Sequence, residues 1–155
     1  MADNIRISMK TDKGDIAITV FASEVPVTSA NFLNLAKRGY YDGISFHRVI
    51  ANFMIQGGDP HSKNLPKDTW GFGGYSEPVP AEFTNTPHKR GIISAARTND
   101  PNSFRGQFFI CVADARFLDG QYSVFGEVIS GMDVADKIVS MPRDARDNPF
   151  DKVSM

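Results

Sequence analysis

Short apolar segments of period two constrain the fold of this chain more than any other feature of its sequence. Residues 5–9 and 16–20 each carry Ile, Val or Met at every second position, and the turn sequence Thr-Asp-Lys-Gly lies between them. Successive side chains of a β-strand point to opposite faces of the sheet. The pattern therefore predicts an antiparallel hairpin with one buried face.

Further strand segments follow along the chain. Two short strands are predicted within 46–59 and one each at 91–96, 107–112 and 122–129, and residues 149–155 are a candidate for a last short strand. Apolar residues at helical spacing occur at 30–36 and at 132–139. Many short strands with two helices indicate an all-β barrel or sandwich that the helices cover, and 155 residues fit one domain, 1–155.

The ends of the two helices are predicted from their capping signals. The first helix ends near Lys37 and Gly39, and it starts either with Pro26 as its first residue or with Thr28 as its cap. The second follows Ser-Gly-Met-Asp, a variant of the capping box that begins at Ser130.

Residues 57–88 hold most of the glycines and prolines and predict a long surface loop. Loops of this length in compact domains are usually functional or mobile. Four aromatic residues are candidates to attach it to the body of the protein: Trp70, Phe72, Tyr75 and Phe83.

Composition and motifs exclude several classes of function. The net charge of −1 gives no reason to expect nucleic acid or an anionic membrane as a partner, and no apolar run approaches the roughly 20 residues of a membrane span. The polar N-terminus does not resemble a signal peptide, and Cys111 is the single cysteine, within an apolar segment, so we expect a cytoplasmic protein.

The motifs of covalent, metal and cofactor chemistry are missing from the sequence. The three histidines His47, His61 and His88 lack the spacing of metal ligands, and neither a Gly-x-Ser-x-Gly elbow nor a nucleotide-binding glycine motif occurs. We therefore expect no metal and no cofactor.

The segment 46–59 places one arginine among apolar side chains. If residues 53–57 form a strand, Met54 and Gln56 share one face and Phe53 and Ile55 the other. Taken alone, the segment is also compatible with a core strand that has a satisfied arginine at its edge. An apolar groove with one arginine suits rotation about a prolyl peptide bond, because that reaction breaks no covalent bond and needs no nucleophile.

Several blocks together resemble the cyclophilins, a family of peptidyl-prolyl cis-trans isomerases, and the match is closest to the compact bacterial type. The blocks follow family order over essentially the whole chain: Asn31 to Leu33, Phe46 to Ile50, Phe53 to Asp59, Gln107 to Ile110, Leu118 to Gly120, Val124 to Gly126 and Gly131 to Val134. The resemblance implies an eight-stranded, closed antiparallel β-barrel capped by two α-helices.

The resemblance also implies roles for residues of this chain. Arg48 is expected to be the catalytic arginine, and Gln56 is expected to orient it and to help hold the substrate carbonyl. The remaining expected substrate-binding residues are Phe53, Met54, Ala95, Ala96, Arg97, Gln107, Phe109, Phe117, Leu118 and Tyr122. Expected partners are proline-containing peptides and unfolded or flexible protein segments, and we expect a monomer.

Three positions depart from the common family pattern. Phe117 stands where many eukaryotic members have tryptophan, so cyclosporin is a possible ligand that we expect to bind more weakly. Tyr122 stands where the family commonly has a histidine at the rim of the pocket. The loop after Ala96 reads Arg97-Thr98-Asn99-Asp100, which differs from the asparagine-containing form that is common in the family. A non-catalytic module that binds proline peptides in the same groove is the alternative to an active isomerase.

Overall fold

The alternating N-terminal segments form the hairpin that their pattern predicts. The computed structural model describes residues 4–74, 78–149 and 152–155. Strand β1 (Ile5–Thr11) pairs antiparallel with β2 (Gly14–Val20), with Met9 opposite Ile16. Ile16 and the two alternate residues after it in β2 are fully buried, so one face of the hairpin covers the core.

Five further strands complete a single antiparallel sheet in the described residues. These are β3 (Arg48–Ile50), β4 (Met54–Gly57), β5 (Ile92–Ala95), β6 (Phe108–Cys111) and β7 (Val124–Ser130). The strand order is β1-β2-β7-β5-β6-β4-β3, and every neighbouring pair is antiparallel. The fold is therefore mainly β, as predicted.

The expectation of eight strands in a closed barrel is wrong for the described residues. The sheet has seven strands and is open between β1 and β3, and the segment 152–155 lies between these two edges. The Phe46 N–H donates to the Val153 carbonyl at 3.0 Å, and the Asp12 N–H, just beyond β1, donates to the Ser154 carbonyl at 3.0 Å. Two more backbone bonds, from Gly43 to Met155 and from Met155 to Ile44, and one isolated bridge between Ser45 and Ser154 add to this link, but the segment does not form a strand of the sheet. Phe150 and Asp151, part of the predicted last strand, lie outside the described residues.

The first helix, α1 (Pro26–Lys37), begins at Pro26, so the first of the two predicted starts is confirmed. Its first turn is capped from a distant part of the chain. The Glu82 carboxylate accepts hydrogen bonds from the backbone N–H groups of Val27 at 3.3 Å and Thr28 at 2.5 Å. A carboxylate at this end satisfies unpaired N–H groups and is favoured by the helix dipole.

The second predicted helix is present at Met132–Val139, labelled α3 in chain order, but its predicted capping box is wrong. Ser130 ends β7, and the cap is Gly131 with φ of 98° and without a side-chain hydrogen bond. A Cβ atom on Gly131 would lie 2.5 Å from the carbonyl oxygen of Asp15, so close packing against β2 requires glycine there.

Among the described residues, one of the aromatic side chains predicted to anchor the long segment between β4 and β5 is buried. It contains one turn of helix, α2 (His61–Asn64), and a 3₁₀ turn at Lys67–Thr69. Trp70 is buried and its Nε1–H donates to the Leu65 carbonyl at 3.0 Å, but Phe72 and Phe83 are exposed and do not anchor the segment. Tyr75, the fourth aromatic residue predicted to hold it, lies outside the described residues.

Strand β6 divides its side chains between two apolar clusters. Phe108 and Ile110 belong to the main core, where the Phe108 ring packs edge-on against Phe32 of α1 at 5.5 Å. Phe109 and Cys111 belong to a smaller cluster on the opposite face of the sheet. The period of two in one strand thus supplies both the core and the floor of the groove described below. No helix among the described residues is long and apolar enough to cross a membrane.

Candidate active site

Arg48 and Gln56 face each other across the β3–β4 hairpin. They are register partners, and Arg48 Nη1 donates a long hydrogen bond of 3.4 Å to Gln56 Oε1. Arg48 is exposed, and no carboxylate of the described residues forms an ion pair with it. Most of its N–H donors are therefore available to a ligand.

The groove beside Arg48 has an apolar floor. Met54, Phe109 and Leu118 are nearly fully buried and form one cluster with Ala115 and Cys111. A cavity of about 110 Å³ opens above them. Its walls are Arg48, Phe53, Met54, Gln56, Ala96, Arg97, Phe109, Leu118 and Tyr122.

Phe53 joins this cluster although strand alternation predicted it on the other face from Met54. The strand begins at Met54, and Phe53 lies in the preceding turn, where its N–H donates to the Ile50 carbonyl at 3.1 Å. A turn residue does not follow the alternation of a strand, so both neighbouring side chains pack against the floor. The placement from alternation is therefore wrong, and Phe53 lines the cavity together with Met54.

The rim of the groove is formed by stacked side chains. The Tyr122 ring meets Phe109 edge-on at 5.7 Å, and the Arg97 guanidinium lies over the Tyr122 ring at 4.6 Å. Arg97 Nε also donates to the Gln121 carbonyl at 2.9 Å. Phe117 is 68% exposed, and its ring centroid lies 5.6 Å from that of Phe53, with the two rings tilted by 40°. It lies beside the cavity and does not line it.

The two alanines of the predicted peptide-binding segment have different environments. Ala96 lines the cavity, whereas Ala95 is buried in the main core on the opposite face of β5. The Ala95 side chain therefore faces the core and not the cavity, and a contact between this segment and the backbone of a peptide stays a prediction. Neighbouring residues of an extended segment point to opposite sides, and only one of the two can face a ligand.

Gln107 connects the groove to a second cavity. Gln56 Nε2 donates to Gln107 Oε1 at 3.0 Å, and Gln107 Nε2 donates to the carbonyls of Gly71 at 3.0 Å and Gly73 at 2.7 Å. The neighbouring cavity, about 460 Å³, shares Gln56, Ala96 and Arg97 with the groove. Gln107 lies against this second cavity and contacts the groove through Gln56.

A buried histidine behind the floor was not predicted as part of the site. His88 is fully buried, its ring lies nearly parallel to Phe109 at 6.1 Å, and its nitrogens bond Asp119 Oδ1 at 3.1 Å and Ser94 Oγ at 3.0 Å. Burial lowers the pKa of His88, and Asp119 opposes that shift. The backbone N–H of His88 and the Arg116 guanidinium lower the pKa of Asp119 to about 2. No local pattern in the sequence connects residues 31 positions apart, so only the structure brings them together.

Potential metal ligands do not converge in the part of the chain that the structure describes. No group of three or more His, Cys, Asp or Glu side chains there is placed to hold a metal ion. Cys111 is buried in the floor cluster, and burial raises the pKa of its thiol to about 12. The polar side-chain groups at the cavity are thus two guanidinium groups, one phenol and one amide.

Comparison with known proteins gives a consistent family. The family model described as cyclophilin type peptidyl-prolyl cis-trans isomerase/CLD matches residues 6–155. A peptidyl-prolyl cis-trans isomerase of Acinetobacter baylyi is 42% identical over 145 residues, which cover 90% of this chain and 74% of that protein. One of Helicobacter pylori is 40% identical over 142 residues, covering 89% of this chain and 82% of that protein.

A solved structure shows the same fold. The crystal structure of a Cryptosporidium parvum cyclophilin type peptidyl-prolyl cis-trans isomerase, determined in the presence of the dipeptide Ala-Pro, superposes with a TM-score of 0.89 at 32% identity. The match covers 97% of this chain and 95% of that chain. The antiparallel sheet of seven strands, with its two covering helices and the groove beside Arg48, agrees with these matches. The chain belongs to the family of cyclophilin-type peptidyl-prolyl cis-trans isomerases.

Proposed function

We propose that the groove beside Arg48 catalyses cis-trans isomerisation of X–Pro peptide bonds in flexible protein segments. The observation that carries the proposal is the position of Arg48. Its guanidinium lines a small cavity with an apolar floor and bonds only a neutral amide among the described residues. The cation is thus available to the substrate and is not consumed by an ion pair.

The proposed mechanism follows from what changes during rotation. The barrier of ~18–20 kcal/mol arises from the amide resonance that is lost as the bond twists. The twisted amide is less polar than the planar one, so an apolar groove penalises it less. The prolyl nitrogen regains its lone pair, and Arg48 can donate to that nitrogen only in the twisted state. A bond that forms only in the transition state lowers the barrier, and each ~1.4 kcal/mol gives a tenfold rate increase.

The cavity walls suggest how the substrate lies. The proline ring is proposed to fill the cavity against Phe53, Met54, Phe109 and Leu118, whose apolar atoms provide the floor. Gln56 uses one hydrogen of its amide nitrogen for Gln107 and keeps the other for the substrate carbonyl. The peptide backbone before the proline is proposed to run past Ala96 and Arg97, where the groove meets the second cavity.

The proposal is tested by replacing Arg48 with alanine and with lysine. Loss of a preorganised donor to a transition state costs about 10²–10³ in rate, so we expect Arg48→Ala to lose about that factor in kcat/KM in a protease-coupled assay on a proline peptide. Arg48→Lys should recover little, because lysine lacks the rigid fork of the guanidinium.

Arg6→Ala is the matched control, since Arg6 is exposed on β1 away from the groove. Equal kcat/KM in wild type and Arg48→Ala would refute the role of Arg48. A wild-type protein that binds the peptide without isomerising it would instead support the non-catalytic binding module.

The remaining features of the proposal concern the whole protein. We propose a single domain over residues 1–155 that acts as a monomer in the cytoplasm on unfolded or flexible segments. We also propose that cyclosporin enters the groove, with lower affinity than in family members that carry tryptophan at the position of Phe117. Sedimentation of the purified chain would test whether it is a monomer, and fractionation of cells that express it would test its location in the cytoplasm.

A further inference from the structure

The orientation of the side-chain amides of Gln56 and Gln107 is set by backbone carbonyls outside the groove. Gln107 uses both N–H hydrogens on the carbonyls of Gly71 and Gly73, so its Oε1 must face Gln56. The Gln56 Nε2 then donates to Gln107, and the Gln56 Oε1 is turned towards the Arg48 guanidinium. If the Gln56 amide were reversed, its N–H groups would face the N–H donors of Arg48, and no hydrogen bond could form between them.

The segment that carries these two carbonyls is bonded at Gly71 by the side chain of Asp59. Its side chain is fully buried just after β4, and its Oδ2 accepts a short hydrogen bond from the Gly71 N–H. Its Oδ1 accepts from the His61 N–H at 2.9 Å. Gly71 has φ of 97°, and a Cβ on Gly73 would overlap Asp59 Oδ1, so glycine lets the segment approach the carboxylate.

The two oxygens of this buried carboxylate hold two backbone N–H groups, one at the start of α2 and one at Gly71. No Lys, Arg or His side chain of the described residues forms an ion pair with Asp59. A carboxylate can accept on two oxygens at once, whereas an amide of the same shape has one acceptor and one donor group. An asparagine at this position could therefore satisfy only one of the two N–H groups.

We propose that Asp59 is a positioning residue for Arg48 and acts through the Gly71–Gly73 segment, Gln107 and Gln56. The proposal rests on the catalytic role of Arg48 given above. Asp59 fixes the two carbonyls, the carbonyls fix the direction of both amides, and the Gln56 oxygen holds the guanidinium over the cavity. Asp59 itself does not line the cavity.

The test is Asp59→Asn, alone and combined with Gln107→Ala. The asparagine amide must oppose one N–H group, which displaces the segment, and we expect kcat to fall about tenfold while KM changes less than twofold. If Asp59 acts through Gln107, Asp59→Asn should change kcat less than twofold in the Gln107→Ala background. Losses that multiply in the double variant would overturn the proposal.

Ser62→Ala is the matched control for a purely structural effect. Ser62 is buried in the same region, and its Oγ donates to the Asp59 backbone carbonyl at 2.7 Å, not to the carboxylate. We expect this variant to lower Tm without changing kcat. The side-chain NH₂ resonances of Gln56 and Gln107 should shift in Asp59→Asn and stay in place in Ser62→Ala, and unchanged resonances in Asp59→Asn would refute the relay.

Two further variants keep the test decisive. Gly73→Ala adds a Cβ that pushes the segment away from an intact Asp59 carboxylate. This variant should show the same loss of kcat, so it serves as the test if Asp59→Asn does not fold. Wild-type kcat in Gly73→Ala would count against the relay. Arg48→Ala separates the two proposals. Wild-type activity in Arg48→Ala defeats the catalytic role of Arg48 on which the relay rests, whereas loss in Arg48→Ala with full activity in Asp59→Asn defeats only the relay.

Discussion

At the scale of single residues, buried histidines lie directly behind the side chains that line the groove. One side of Phe109 faces the cavity, while its ring lies nearly parallel to the buried His88. His47 precedes Arg48 and is 4% exposed, with an Nδ1 that has no hydrogen-bond partner in the described structure. Residues behind the groove thus carry polar atoms away from water, which makes the fold sensitive to their protonation.

We predict that His47 makes the protein less stable as the pH falls below neutrality. Burial lowers the pKa of His47 to about 4, with Arg48 adding to the shift and Asp59 opposing it. The unfolded chain takes up a proton near the ordinary pKa of about 6.5, and the folded chain does not, so acid favours unfolding. This difference amounts to about 2 kcal/mol between pH 8 and pH 5, because one pKa unit is worth about 1.4 kcal/mol.

Urea denaturation of wild type and His47→Phe at both pH values measures this term. The free energy of unfolding should fall by about 2 kcal/mol less in His47→Phe than in wild type. The same fall in both proteins would mean that His47 titrates normally in the folded state. His88, whose pKa burial also lowers, remains in both proteins and contributes equally.

Phe117 supports a second prediction at this scale. It packs against Phe53 and presents a largely exposed ring without an N–H donor. Phe117→Trp restores an indole N–H beside the groove, so we expect tighter inhibition by cyclosporin, by roughly one hydrogen bond or about tenfold. Isomerase activity without inhibitor should change little. Identical inhibition curves for Phe117→Trp and wild type would contradict this expectation.

At the scale of elements, distant segments complete the helix ends and the groove. The N-terminus of α1 has no cap from its own preceding residue, and Glu82 supplies the acceptor from the segment before β5. The Glu82 backbone N–H is itself fixed by Ser123 Oγ at 2.9 Å. The helix start therefore depends on the placement of a segment that otherwise has little regular structure.

We predict that Glu82→Ala destabilises the protein by about 1 kcal/mol, the usual cost of removing a helix cap. Glu127→Ala is the control, because Glu127 is an exposed carboxylate of β7 without a capping role. Thermal unfolding of the two variants beside wild type measures the difference. Equal melting temperatures for both variants would show that the Glu82 carboxylate does not cap α1 in solution.

At the scale of the whole molecule, the C-terminal segment joins the two edges of the sheet. Val153 is fully buried in the main core, and its carbonyl accepts from Phe46 while the Met155 N–H donates to the Ile44 carbonyl at 2.8 Å. Asp12 contacts the same segment from the side of β1, since its carboxylate accepts from the Ser154 N–H at 2.8 Å. A few residues thus bridge what seven strands leave open.

We predict that Val153→Ala lowers the free energy of unfolding by about 2 kcal/mol, from the buried methyl groups that are lost and the cavity that remains. Val27→Ala is the control, because Val27 is 49% exposed and its loss should cost no more than about 0.5 kcal/mol. Denaturant unfolding provides the comparison. Equal stability of the two variants would show that the C-terminal segment is not packed as described.

The sequence predicts those parts of the molecule that depend on local periodicity. The hairpin of β1 and β2, the strand β6 and the body of α1 follow from apolar spacing, and the blocks of family resemblance place most of the groove side chains. The alternation pattern fails where the outcome depends on an exact strand boundary, as for Phe53 in a turn. The predictions also fail where distant segments meet, as with Glu82 at α1, Asp119 at His88 and the open sheet, because no local pattern encodes such contacts.

The bridge made by the last residues has a consequence for biosynthesis. Proteins emerge from the ribosome with their N-terminal part first, and domains fold as units once their segments are available. A nascent chain in which residues 152–155 are still inside the ribosomal tunnel lacks the Val153 contacts and leaves both sheet edges without this link. The groove strands can pair before that moment, but the native domain is completed only when this segment has left the tunnel.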